Sequence, residues 1–599
     1  MTVDQAAQSA TTSPEGGQAE PDALDSLMRW TLRPGVSVTV LHNGVHLRGW
    51  ITSVTLEGGA GLPVLWNRLA ETLATDGSAE LARTVPAGSP LRAALVTVID
   101  QLHAHDLLVE RPGGEKWLDA VADRPTVAAA ALSRSRVRVL GARPDGPLSR
   151  AAVRALDRAG VRTETVETAD LPDGQILLVA SEVDVSPALA GEQDSAVVVG
   201  LRSGVGFVTP VGSARQARAD ADGLAERLRR REVHGAAEHS GPAALLASSA
   251  VQRLVCAVAG LRDPSAEAGD ARLLPGLPAA LVAEREPLRG EYRSWAGSVL
   301  VDADRVRPRP AVRTLAEALA RIPVLTDRMA GVLDEPDPGP LPQLPAALVR
   351  CSVADEVLLS GAARADLARL EAVCRAAELR LGTEGWDLVV GAGADHARGR
   401  ALRRALTRQH TATATHVPWS PDPEHHPQAH HWWSVLVRRL GVDAEVAVSR
   451  LGTGGGGAVF RARFRERASG LLGTAVEATA DDAVAFAALS AVVRVQSATA
   501  APHARHLVTP TGASATLARP EATAPWEDTG WTTAWLAEAA GREPELQEAL
   551  AALTGWTPQP WEPPAGAHAD VRVLWSALRQ CGFSVLSARH EALSAEGSP

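Results

Sequence analysis

Past residue 26 the hydrophobic positions fall into short alternating runs and longer helical stripes, and the spacing changes character several times. VSVTVLHNGVHLRGW, Val36 to Trp50, alternates with a period of two around Asn43-Gly44. That is the pattern of a β-hairpin whose Asn-Gly pair supplies the positive φ angles of a tight turn. ITSVTLEG adds the next strand. From Leu62 the repeat lengthens, and Leu62, Leu65, Trp66, Leu69 and Leu73 share one helical stripe with Pro63 in the first turn. A second helix, LRAALVTVIDQLHAHDLLVE, directs Leu91, Leu95, Val98, Leu102 and Leu107 to a core. These elements define a small α plus β unit at 25–115. It follows a disordered tail at 1–24, whose polar residues offer little apolar area to offset the cost of ordering.

At Arg136 the pattern changes. SRVRVLGARPDGPLSRAAVRALDRAGVRTETVE reads as buried strand, Gly-containing turn, helix and second strand. QILLVAS from Gln175 and SAVVVGL from Ser195 are continuous and β-branched, as expected of parallel strands covered on both faces. With helices from Ala217 and Ala243 they make an α/β unit at 132–262. Residues 263–345, rich in Pro and Arg, read as a connecting region of loops around short elements. A further α/β region at 346–599 opens with a hairpin, AALVRCSVADEVLLSGA, and continues through ARADLARLEAVCRAAELRLG, a helix, and WDLVVGAG, a strand. The helix DHARGRALRRALTRQH, the strand TATATHVPW, two strands around GTGGGG and a helix from Ala480 to Gln496 follow. A Trp- and Pro-rich tail closes with VRVLWSALRQCGFSVLSA, a helix and a strand.

Length and charge narrow the classes. With 599 residues the chain is expected to hold several cores, and its formal net charge of -10 supplies no global positive field for nucleic acid or an anionic membrane. Cys256, Cys351, Cys374 and Cys581 are isolated, with no CxxC spacing, which argues against a disulfide framework and against a four-thiolate zinc site. The polar start lacks the apolar stretch of a signal peptide, and no uninterrupted apolar run approaches the roughly 20 residues of a membrane helix. A cytoplasmic location is the expectation.

Few motifs carry chemistry. PDPEHHPQAHHWW gathers His425, His426, His430 and His431 near Glu424, but its prolines suit an exposed loop, and the HxxxH at His426 and His430 lacks the Glu of a metalloprotease helix. GTGGGG, Gly452 to Gly457, runs into Ala458-Val459-Phe460 instead of the Lys and Ser or Thr of a phosphate loop, so it reads as a hairpin. No GxSxG elbow follows a buried strand.

Two neighbouring blocks carry a resemblance. The Leu32 to Glu110 arrangement of strands and helices is similar to the winged-helix-like precursor-recognition element of pathways that modify ribosomally made peptides. VRVLGARPDGPLSRAAVRALDRAGV, Val137 to Val161, resembles the opening of a ThiF-like, ubiquitin-activating-like (E1-like) domain. In this order they resemble the leader-peptide-binding partner of azoline-forming YcaO cyclodehydratases, as in linear azole peptide and thiopeptide clusters. LLGTAVEATADDAVAFAALSAVVR faintly resembles the YcaO pattern, without its paired ATP- and magnesium-binding carboxylates around Glu477, Asp481 and Asp482.

The resemblance implies an α/β multidomain protein: a winged-helix-like recognition domain, a degenerate Rossmann-like ThiF/E1-like domain, and a third α/β region that is a degenerate YcaO-like or dimerisation module. Its leader peptide would add as a strand beside Val54, Leu56 and Glu57 and against the last helix of the first unit at Ile99 and His103, with Arg48, Arg68 and Arg92 as basic contacts. Arg143 stands where the family pattern places a second glycine and Pro144 lacks an amide, so no nucleotide is expected at Gly141–Gly146. No catalytic residue, cofactor or metal is assigned. The expected partners are the precursor leader and a separate YcaO enzyme, with homodimerisation left open and neither nucleic acid nor membrane. An ATP-dependent adenylating enzyme and a structural assembly subunit are the alternatives.

Overall fold

The computed structural model describes residues 30–587, apart from 50–51, 76–83, 87, 111–115, 183–193, 203, 230–239, 267–269, 271, 286–287, 298, 303–310, 383–386, 409–413, 453–456, 468–469 and 518–530. The tail at 1–24 and most of the glycine run lie outside the described residues.

The first unit is a meander, β2 (Ser37–Val40), β3 (Gly44–Arg48) and β4 (Ser53–Glu57), packed on α1 (Leu62–Ala74) and α2 (Pro90–Ala104). Val45, Leu47 and Leu56 from the sheet meet Trp66, Leu69, Leu73, Leu95, Val98, Ile99 and Leu102 from the helices. A separate ribbon pairs β1 (Trp30–Leu32) with β5 (Leu108–Glu110). Two expectations fail locally. Leu91 is 42% exposed because the buried stripe of α2 starts one turn later, at Leu95. Gly44 has no positive φ, and its glycine is required for another reason: a Cβ there would lie 2.3 Å from the Leu56 carbonyl oxygen across the β3–β4 pair. Arg33, almost fully buried, ties this unit to the next by donating to Asp106 Oδ1 at 2.6 Å and to the Ala122 carbonyl at 3.0 Å.

Two helices, α3 (Lys116–Val121) and α4 (Pro125–Arg134), lead into the middle unit, whose seven-stranded sheet runs β12 (Leu288–Ser294), β11 (Ala279–Arg285), β10 (Val205–Val208), β9 (Ser195–Arg202), β8 (Gln175–Glu182), β6 (Ser135–Gly141) and β7 (Arg162–Glu167). β6 (Ser135–Gly141), α5 (Pro147–Arg158) and β7 (Arg162–Glu167) form a β-α-β unit with parallel strands, as the sequence predicts. β8 (Gln175–Glu182) and β9 (Ser195–Arg202) are instead antiparallel to their neighbours. Their apolar runs follow from burial on both faces. Ile176, Leu178, Val197 and Val199 pack under α5 and α7 (Ser240–Val258), whereas Leu177, Val179, Val198 and Phe207 pack under α6 (Ala214–Arg229).

Residues 263–345 are more than a connection. They supply β11 (Ala279–Arg285) and β12 (Leu288–Ser294), which extend the middle sheet from β10 (Val205–Val208), and α8 (Leu315–Thr326), whose Leu315, Ala318 and Ile322 enter the core of the third unit.

That third unit contains the hairpin β13 (Ala347–Val353) and β14 (Glu356–Ala362), then α9 (Ala365–Leu381), β15 (Leu388–Gly391) and α10 (Ala394–Arg408). An antiparallel sheet of β16 (Ala414–Val417), β17 (Ala444–Leu451), β18 (Val459–Glu466) and β19 (Gly470–Glu477) packs against α12 (Ala480–Ala500), with α11 (Pro427–Ser434) alongside. β20 (His506–Val508) adds to the β13–β14 hairpin, and the Trp-rich tail contains a further helix, α13 (Trp531–Thr554), then β21 (Gln559–Pro560), α14 (Ala569–Gln580) and β22 (Ser584–Ser587). α7 and α12 are long and apolar enough to cross a membrane by length and composition, but half or more of each apolar window is buried inside the protein. Core packing accounts for their composition.

Candidate functional site

The first candidate surface is the outer edge of β4. Among the described residues β4 ends its sheet and pairs only with β3, so one side of its backbone is open to another strand. Its starting end is tied to α2, because the Thr52 hydroxyl donates to the His105 carbonyl and Leu107 packs under Gly49. Ser53, Thr55 and Glu57 are exposed and Val54 is half-buried.

The predicted contacts divide accordingly. Glu57 and Arg48 are exposed at the open sheet, whereas Val54 is half-buried and packs against the core of the first unit. Leu56 and Ile99 are 8% and 1% exposed and belong to that core, because their periodicity places them with Val45, Leu95 and Leu102. His103 is on the outer side of α2, with its ring set edge-on to Trp30 at 4.5 Å. Partial burial lowers its pKa against the opposing pull of Asp100. Arg68 and Arg92 are engaged elsewhere, donating to the Thr84 hydroxyl at 3.3 Å and the Val85 carbonyl at 3.1 Å.

A second candidate is the turn after β6. Pro144 and Pro147 bring no N–H, and the Gly146 N–H is already donated to the Arg143 carbonyl at 3.0 Å. The same carbonyl accepts from the Ser149 hydroxyl at 3.1 Å, and Arg143 reaches Asp173 at 2.7 Å. A phosphate cradle needs converging free amides. Within this turn the Gly146 N–H and the Arg143 carbonyl are engaged with each other, and Pro144 and Pro147 offer no amide.

The third unit contains a buried charge centre, most of which sequence reasoning missed. Arg403 of α10 donates from Nε and Nη2 to Glu477 at 3.0 and 2.6 Å, and from Nη1 and Nη2 to Glu543 at 2.7 and 2.6 Å. Gly512 N donates to Glu477 at 2.9 Å, and a Cβ at Gly512 would come within 2.3 Å of that carboxylate. Burial pushes Glu477 up to about 7, and the charge of Glu543 adds to the rise; the single guanidinium of Arg403 opposes this but is shared by two carboxylates. Nearby, Arg400 bridges Glu371 and Glu378, and Arg404 and Arg375 also meet Glu378. Burial alone would raise both acids; Arg400 with His396 and Ser514 at Glu371, and Arg400 with Arg404 and Arg375 at Glu378, together outweigh it, holding Glu371 well below its ordinary range and Glu378 at about 2.

Ser514, His396 and Glu371 meet in the same centre, with His396 Nε2 3.3 Å from Glu371 and 3.4 Å from Ser514. His396 Nδ1 accepts from Ala392 N at 3.1 Å, so Nε2 carries the proton. The serine hydroxyl donates to Glu371 directly. With its outward nitrogen protonated, this histidine cannot take the serine proton, and the three residues act as a buried brace. Charged residues on the apolar stripes of α9 and α10, Glu371 and Glu378 or His396, Arg400 and Arg403, were the available sequence signal.

The acidic residues after β19 diverge. Asp482 accepts from Trp535 Nε1 at 2.8 Å and pairs with Arg542, whereas Asp481 accepts from Trp419 Nε1 at 3.2 Å and meets His426 at 2.9 Å. The histidine cluster is more ordered than a loop: Pro427 opens α11, which carries His430 and His431. Among the described residues no group of three or more His, Cys, Asp or Glu is placed to hold a metal ion.

No protein-family model matches the chain, and no curated protein matches it. Among solved structures it is similar to a heterocyclase in complex with substrate and cofactor, at 14% identity over 93% of this chain and 94% of that chain, with a TM-score of 0.43. The heterocyclase TruD is similar at 12% identity over 93% and 94%, with a TM-score of 0.40. E. coli MccB with ATP is similar at 10% identity over 44% of this chain and 96% of that one, with a TM-score of 0.28. At these scores the likenesses carry no argument about activity.

Proposed function

We propose that this chain binds the leader of a ribosomally made precursor peptide and delivers it to a separate YcaO cyclodehydratase, which forms thiazoline or oxazoline rings at Cys, Ser and Thr with ATP. The observation that carries the reading is the outer edge of β4, which pairs with no further strand among the described residues and is tied at its start to the end of α2. An added peptide strand would gain backbone hydrogen bonds there, and the surface around Val54 and Glu57 would choose among side chains. The role needs no reacting group on this chain, since holding the precursor next to a catalyst raises its effective concentration. The winged-helix-like character of residues 25–115 and the delivery role stand or fall together.

The test is titration of the purified full chain with synthetic leaders encoded by short reading frames beside its gene. Glu57→Lys should weaken specific binding at least tenfold while leaving the fold intact, because Glu57 is exposed at the open edge. Equal affinity in wild type and variant refutes the location. No binding to any authentic leader refutes the role.

A second reading, an ATP-dependent adenylating or peptide-modifying enzyme, is favoured by the carboxylates Glu371, Glu378, Glu477 and Glu543 gathered within the third unit. Precursor-dependent release of pyrophosphate by the chain alone would establish it over delivery.

A further inference from the structure

The face of the four-stranded sheet opposite α12 carries an arginine column that no acid among the described residues pairs with. On β18, Arg461, Arg463 and Arg465 alternate with Ala462 and Phe464, which face α12 in the core. Successive members lie about 7 Å apart along the strand. Register supplies their neighbours: Ser449 and Val476 flank Arg461, Ala447 and Thr474 flank Arg463, and Glu445 and Leu471 flank Arg465. His416 lies beyond Ser449 in the same row as Arg461. Glu445 is the one acid in these rows, and it is taken by Arg467 at 3.0 Å.

The column descends into the protein. Arg465 is exposed, Arg463 half-buried and Arg461 only 7% exposed, because the next turn of cover begins at its row, where Val476 joins Leu451 and Val459 beneath α10 and α13. Arg461 Nη1 is buried without a hydrogen-bond partner among the described residues, and so is the hydroxyl of Thr474, the cross-strand neighbour of Arg463. Burial and the like charge of Arg463 both act to lower the pKa of Arg461. A buried guanidinium left uncompensated is costly, and the groups around it here are small, apolar or donors. An oxyanion is the kind of group that would satisfy these donors.

We infer that the sheet face at Arg461, Arg463 and Thr474 binds a small polyanion carrying two oxyanion groups, either a diphosphate or a dicarboxylate. One group would be held by Arg461 at the covered end and the other by Arg463, with the Thr474 hydroxyl as a further donor. Forked guanidinium donors suit both oxyanion types, and the descent from Arg465 to Arg461 provides an approach from solvent. The inference does not depend on the delivery reading.

The probes are inorganic pyrophosphate and succinate, each compared with sodium chloride at matched ionic strength, and the readout is thermal unfolding of the full chain together with calorimetric titration. At tenfold excess over Kd, the fitting anion should raise the transition of the third unit by about 3 °C. Arg461→Met should abolish that rise. In anion-free buffer the same variant should unfold no earlier than wild type, because it removes a buried charge that has no partner. Arg467→Gln, on the same strand end but engaged with Glu445, should keep the full response. A response to pyrophosphate alone or to succinate alone identifies the oxyanion type. If neither anion exceeds the chloride control, or if Arg461→Met responds as wild type does, the assignment is wrong.

Discussion

Glu477 offers a sharp test of the buried charge centre through pH. Its carboxyl keeps its proton in the folded protein up to about pH 7, whereas in the unfolded chain it ionises near its ordinary value of 4.5. Between these values the fold holds a proton that the unfolded chain has released, so this group's contribution is fully present below about pH 4.5 and is lost as pH rises through 7. Each pH unit in that interval is worth up to about 1.4 kcal/mol, so from pH 5 to pH 8 the loss totals about 2 to 3 kcal/mol. The Glu477 side chain is 4% exposed, so water does little to screen it. Glu371 and Glu378, both held low, act only as pH falls below their ordinary 4.5 and stay silent in this window. His103 and His431, both lowered mainly by burial, act in the opposite sense near 6.5, and they are common to wild type and variant. Glu477→Gln should therefore remove a pH slope that wild type shows. Urea unfolding at pH 5, 6.5 and 8, read by hydrogen exchange in the Ala394–Arg408 helix, isolates the third unit. Parallel pH profiles for the two proteins would show that Arg403 fully ionises Glu477 and that the reasoning is wrong.

Other consequences follow from single contacts. Gly44→Ala forces a methyl against the Leu56 carbonyl and should cost about 1 to 3 kcal/mol, seen as early exchange of the β2–β4 amides. Ser514→Ala removes a hydroxyl donor to the buried Glu371 and should cost about 1.5 to 3 kcal/mol of third-unit stability. It should leave any hydrolytic activity of the preparation unchanged, whereas loss of an esterase activity would revive a nucleophilic role. Burial pushes the Cys256 thiol up to about 11 and Cys351 to about 12, and Cys374 is raised as well, so a thiol reagent at pH 8 should react slowly with these three until urea is added.

The parts of the fold legible in the sequence are those where one stripe faces one core. Trp66, Leu69 and Leu73 of the first helix, the strand-helix-strand from Ser135 to Glu167 and most elements from Ala347 to Ala500 follow directly from period. Strand direction was not legible. A run such as QILLVAS records that both faces are covered, and it reads the same whether its neighbours run parallel or antiparallel. The two strands after residue 278 were hidden for a related reason: Leu288 to Ser294 lies at the sheet edge and keeps polar residues, so its composition matches a loop. Of the candidate surface, the edge at Val54 and Glu57 was accessible to reasoning. Ile99 was misplaced because adjacent positions on a helix differ by 100°, and a boundary residue can fall on either side. Arg403 and Glu543 were invisible as a pair, since 140 residues separate them and only tertiary structure joins them.

The pairing of Leu388–Gly391 with Ser584–Ser587 sets a schedule for synthesis. The earlier strand leaves the ribosome roughly 190 residues before its partner, and at ribosomal speeds of about 5 to 20 residues per second that is a wait of about 10 to 40 seconds. During that interval the first unit has every strand it needs, while the third unit carries an unpaired strand and an open core. A nascent chain would thus gain its outermost strand edge at Ser53–Glu57 well before the body behind it is closed, and chaperones that shield exposed strands would matter most for the last third of translation.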